Sequence, residues 1–88
     1  MSQQNSRPAT IAGLILAVTG LSHFVVPQAY QKLTEPAFPN DTRKHIYIDG
    51  AIETAVGLGI AAPKTRKVAL LGLVAYLLYL GGNAVRNR

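Results

Sequence analysis

Two carboxylates, Asp49 and Glu53, stand four residues apart in a largely apolar stretch, a spacing that puts both on one face of a helix. Acids held in apolar surroundings are costly unless paired or hydrated, so they are candidates for proton handling or ligand binding. Two further polar groups occupy similar positions. His23 lies three residues before the end of an earlier apolar run, and Asn83 lies two residues before the end of a later one. Pairing Glu53 with His23 would make a buried charge tolerable, and Asn83 could satisfy the remaining lone pairs. His23, Asp49, Glu53 and Asn83 therefore form one candidate polar cluster. A simpler reading takes precedence over a functional one: these groups are interhelical hydrogen bonds that glue thin helices together.

Other chemistry is poorly represented. The 88-residue chain has no Cys, hence no disulfide, thiolate metal site or cysteine nucleophile. No nucleophile–base pair, phosphate-cradling glycine loop or metal-ligand spacing is present. Haem ligation by His23 or His45 would need two axial ligands from distant segments, and neither histidine has a motif around it. The expectation is a protein that is not an enzyme and carries no cofactor or metal. Its net charge of +5 does not indicate nucleic acid, because the cations form no stripe and no aromatic stacking surface accompanies them. Arg7, Lys32, Arg43, Lys44, Lys64, Arg66, Lys67, Arg86 and Arg88 all fall outside the apolar runs, the arrangement that anionic headgroups favour.

The elements that must position the cluster follow from those runs. Charged residues make up only 15% of the chain, against roughly 25% in soluble domains. Residues 1–8 are polar and read as a disordered tail. From Pro8 to Gln31 there is no charged residue, enough to span the hydrocarbon core of a bilayer, and residues 9–26 are assigned as the first span. A secretory signal with Arg7 as its flank would need an A-x-A site, and none follows clearly. The second span, residues 46–62, is short and carries both acids. The third, residues 68–85, is apolar on every face at its start, which a surface helix of a soluble domain would not be. The sequence thus predicts an all-α, polytopic membrane protein with three transmembrane helices in a single domain, residues 9–85. Residues 86–88 form a basic tail.

Between the first two spans, Pro36 and Pro39 prevent one continuous helix. Residues 27–33 could form a short interfacial helix with Tyr30 at headgroup level. Lys64, Arg66 and Lys67 form a tight basic turn after Pro63, also at the interface. The Asn40–Thr42 sequon is read as incidental. Small residues recur at spacings that let helix backbones approach: Gly13, Ala17 and Gly20 on the first helix, and Ala51, Ala55 and Gly59 on the second, with Gly50 and Gly57 flanking the acidic face. Tyr76 and Tyr79 could donate hydrogen bonds, but packing against lipid or a neighbour is the preferred reading. Three crossings put His23, Asp49, Glu53 and Asn83 toward the same side. The dense basic turn favours a cytoplasmic N-terminus.

These residues also carry a resemblance. The first-helix exit, Gly20-x-x-His23-Phe24-x-x-Pro27-x-x-Tyr30, resembles that of DoxX-like membrane proteins. So do the Pro36 and Pro39 pair, Tyr47-x-x-Gly50-x-x-Glu53-x-x-x-Gly57, Pro63-x-x-Arg66 and the terminal Asn83, in the same order. The resemblance covers residues 13–84 and implies that His23, Glu53 and Asn83 belong to that family's polar set. It also implies a fourth helix, which this chain does not contain, and a link to quinone-dependent or thiol redox systems.

Three functions fit these features. The favoured one is a small non-catalytic accessory subunit in a larger membrane assembly, such as a respiratory or other energy-transducing complex. The others are a quinone- or redox-associated membrane protein, and an oligomeric small transporter with Glu53 as its proton-coupled site. The expected partners are other membrane subunits and the lipid bilayer, with quinone or lipid as candidate ligands and no nucleic acid. The expected location is the plasma membrane, multi-pass.

Overall fold

The computed structural model describes residues 7–87, and all of its regular structure is helical. Helix α1 spans Arg7–Val25, and a 3-10 turn at Pro27–Tyr30 leads directly into the short α2, Gln31–Thr34. Helix α3 spans Thr42–Ala61, and α4 spans Arg66–Arg86. Each long helix starts earlier than its apolar run because polar residues fit a first turn. Arg7 and Pro8 open α1, where a proline's missing N–H removes no helical bond. They therefore belong to the helix and not to the tail, while residues 1–6 lie outside the described residues. At the other end Arg86 closes α4, leaving little of the expected 86–88 tail, and Arg88 lies outside the described residues.

The connector is shaped by its prolines. Pro27 begins the 3-10 turn, and Pro36 and Pro39 keep α2 from continuing. Asp41 then takes the left-handed conformation, φ 55° and ψ 40°, which reverses the chain into α3; Asp is one of the few residues that adopts it readily. Thr42, the hydroxyl residue of the sequon, is buried and donates to the Phe38 carbonyl at 2.6 Å.

The three long helices lie side by side, with α3 in the middle, packed against both α1 and α4. The molecule measures 44 × 26 × 15 Å. Its thin dimension is little more than one helix with its side chains, about 10–12 Å. The core is correspondingly small: Ala17, Ala37, Phe38, Ile46, Ile60 and Tyr76 are its buried apolar residues. Helices α1 and α4 are long and apolar enough to cross a membrane, and only 22% and 6% of their apolar windows are buried inside the protein. Their hydrocarbon surface therefore faces outward.

Helices α1 and α3 meet at glycine-to-backbone contacts. A Cβ at Gly13 would sit 2.6 Å from the Gly57 carbonyl oxygen, and one at Gly20 would sit 2.6 Å from that of Gly50. One at Gly57 would sit 2.5 Å from the Gly13 carbonyl oxygen. No side chain fits there, so the antiparallel register is fixed by which residues lack one. The expected row on the second helix is corrected in part. Ala51 and Ala55 are exposed, and the face that meets α1 carries Gly50, Thr54, Gly57 and Ala61. Gly59 points elsewhere, toward the Ala69 Cβ of α4.

Candidate functional site

The register of α1 on α3 decides where the acids go. Gly20 against Gly50 brings His23, one turn further along α1, alongside Gly50 and toward Glu53. His23 Nε2 lies 3.7 Å from Glu53 Oε2. On its other side, His23 Nδ1–H donates to the Thr19 carbonyl at 2.8 Å. A carbonyl can only accept, so Nδ1 carries a proton, and the edge facing Glu53 is Nε2.

Helix α4 contributes Tyr76, whose hydroxyl donates to Glu53 Oε2 at 2.6 Å. Tyr76 is buried, so of the two expected packing partners it has a neighbouring helix, and it also makes the hydrogen bond that the sequence allowed as the alternative. Asn83 does not join the cluster: its amide donates to the Tyr79 carbonyl on its own helix at 2.8 Å. The sequence places Asn83 at the correct end of the bundle, but it lies two turns beyond Tyr76, too far along α4 to reach Glu53. Tyr79 is partly exposed and packs against Phe38.

Asp49 stands one turn from Glu53 toward the connector. It is 5% exposed, and its Oδ1 has no hydrogen-bond partner among the described residues. It lines a cavity of about 460 Å³ that separates α1 from α4 above the acidic face of α3. Glu53, His23 and Tyr76 line the same space, together with Leu80, Gly81 and Ala84 of α4.

The connector forms the remaining wall. Tyr30 is half-buried and packs back onto α1. Its ring stacks on His23 with centroids 3.8 Å apart, and its hydroxyl is 2.5 Å from Ser22 Oγ. Ser22 donates its own proton to the Thr19 carbonyl, so Tyr30 is the donor in that pair. Phe38 is buried, stacks on His45 at 4.1 Å and tilts against Tyr79 at 5.4 Å. The Asn87 amide donates to the Ala37 carbonyl at 3.0 Å, tying the end of α4 to the connector. Phe38 and Tyr30 are site residues that the sequence reading did not assign to the cluster. An aromatic between two prolines is the signal for Phe38, because prolines fix a loop that can then present a ring.

At the opposite end of α3, Arg66 departs from its expected interfacial role. It is 5% exposed and folds back on the bundle. Its Nε donates to the Ile60 carbonyl at 2.7 Å, and its Nη2 donates to the Ala61 carbonyl and Thr10 Oγ1, both at 3.2 Å. A cation at the last carbonyls of a helix is favourable, and here it also joins α1 to α3. Lys64 and Lys67 of the same turn are exposed. Among the described residues, no group of three or more His, Cys, Asp or Glu is arranged to hold a metal ion.

The family model for a domain of unknown function, DUF8561, matches residues 12–85. The chain belongs to that family. The match includes α1 from its second turn onward, the connector, α3 and all but the last residue of α4, so every member of the polar site lies within the family domain. No curated protein and no solved structure matches the chain.

Proposed function

We propose that this protein is a small, non-catalytic, multi-pass membrane subunit, with α1, α3 and α4 as its three spans, that packs within a larger membrane assembly. The observation that carries this reading is the exposure of α4. Of its 21 residues only Arg66 and Tyr76 are buried. Val68, Leu71, Ala75, Leu78, Gly82 and Val85 are all exposed, and they recur at alternating spacings of three and four. That is the seam spacing by which one helix packs along another. It includes two small residues seven apart, and a Cβ built on Gly82 would meet nothing within 4 Å. A neighbouring helix uses small residues of this kind for close approach. The acids of α3 are compatible with a span because they face α1, α4 and the cavity.

The plasma membrane is the location this reading carries. An energy-transducing complex remains the favoured host class, resting on the DoxX-like resemblance. A quinone site in the cavity is less well supported, because an oxidised quinone offers only acceptors, and the Tyr76 hydroxyl that could donate to it is already engaged with Glu53.

The test is extraction of the native membrane in a gentle detergent, followed by native mass spectrometry. The expected result is a reproducible complex heavier than the chain. Cross-linking through a cysteine introduced at Leu78 should capture the same partner, and one introduced at Ala51 should not. Recovery of the chain only as a free monomer would overturn the proposal.

A further inference from the structure

The cavity between α1 and α4 has a composition that selects a ligand class, and we propose that it is a binding site for a small organic amine carrying an apolar body. Glu53 is engaged by Tyr76 and faces His23. Asp49, in the same cavity, is nine-tenths buried and has an oxygen without a donor among the described residues. A carboxylate removed from water without a partner is strongly unfavourable, so the site calls for a positive, hydrogen-bond-donating group at the Asp49 carboxylate. No Lys or Arg among the described residues lines the cavity to supply one.

The walls narrow the choice. The stacked His23 and Tyr30 rings, Phe38 and Tyr76 surround the polar floor, and aromatic faces attract an ammonium group. Leu33, Leu80 and Ala84 supply hydrocarbon for the rest of the molecule. A volume of about 460 Å³ lies within the roughly 300–1,000 Å³ usual for small-molecule sites. An inorganic cation would leave the apolar walls unused, an anion would meet two carboxylates, and a neutral alcohol would bring a donor without the compensating charge. An ammonium group on an aromatic or short aliphatic body meets all three requirements.

The test compares 2-phenylethylamine, protonated at neutral pH, with 2-phenylethanol, which has the same body and a neutral donor. Both are titrated calorimetrically into the full chain in detergent micelles, with empty micelles as the blank. The amine is expected to bind at least tenfold tighter than the alcohol. Asp49→Asn keeps the shape and removes the charge, and should bring the amine down to the alcohol's affinity. Ala84→Phe fills the cavity from α4 and leaves both acids in the sequence, and should weaken the amine at least tenfold. Equal affinity of amine and alcohol, absence of binding by the amine, or an Asp49→Asn protein that still prefers the amine would each overturn the assignment. Should Asp49→Asn not fold, the comparison on the native chain and the Ala84→Phe result decide.

Discussion

The two ends of α3 handle buried charge in opposite ways. Glycine contacts hold α1 against α3 along both halves, but at the C-terminal end Arg66 also donates to two terminal carbonyls and to Thr10. Toward its N-terminal end, Asp49 is just as buried but keeps an unpartnered oxygen, and α1 and α4 are held apart by a cavity. The lesson is that a buried ion is not one kind of feature. Where the protein supplies the partners, the ion is part of the scaffold. Where it withholds them in an open space, stability has been given up, as happens at binding sites.

The first way to break the comparison is at the closed half. Gly57→Leu places a branched side chain against the Gly13 carbonyl, on backbone that cannot rotate away. The expected loss is at the upper end of the roughly 1–3 kcal/mol that overpacking costs. It would be read as a lowered midpoint in denaturant unfolding followed by circular dichroism in micelles. Next is Arg66→Met, which keeps much of the stem and removes the guanidinium. Loss of charge-assisted bonds to Ile60, Ala61 and Thr10 should cost about 2–3 kcal/mol, and Arg66→Lys should recover less than half of it because an ammonium cannot reach in the same fork. A midpoint shift below that of an exposed-site control such as Lys67→Met would remove Arg66 from the scaffold.

How much of this was legible in the sequence depends on whether the information is local. The shared face of Asp49 and Glu53 needs only the helical repeat, and the apolar runs need only composition, so both could be read directly. The rotation of a helix that is apolar all round is different. Nothing in the sequence around Tyr76 says which side of α4 turns inward, and so Asn83, the more polar residue, was the natural choice for a partner of Glu53. Two small-residue rows lie close together on α3. Ala51 and Ala55 have the spacing of a packing face, but the face chosen carries Gly50 and Gly57 because it is the one α1 can approach to backbone distance. Arg66 sits in a basic turn that looks like a headgroup anchor, and only the backward path of its side chain reveals that it binds helix ends.

A smaller effect sharpens the open half. Tyr76→Phe removes the donor to Glu53 and leaves the ring in place. The expected loss is about 1 kcal/mol, as for a single side-chain hydrogen bond, with no change in helix content. Asn83→Ala should fall within about 0.5 kcal/mol of the unmodified chain, because the Asn83 amide bonds only within its own helix. The ratio of the two losses therefore measures whether α4 reaches the cluster through Tyr76 or through Asn83.

The smallest expected effect is also the one with the opposite sign. Asp49→Asn replaces a buried carboxylate that lacks a donor with a neutral amide of the same shape. Removing the charge relieves desolvation that no partner offsets, so the empty protein should become more stable by about 0.5–1 kcal/mol, in the range of substitutions that trade function for stability. Arg66, equally buried, must respond in the other direction when neutralised. If Asp49→Asn instead lowers the unfolding midpoint, then Asp49 is a structural ion like Arg66, and the contrast between the two ends of α3 does not hold.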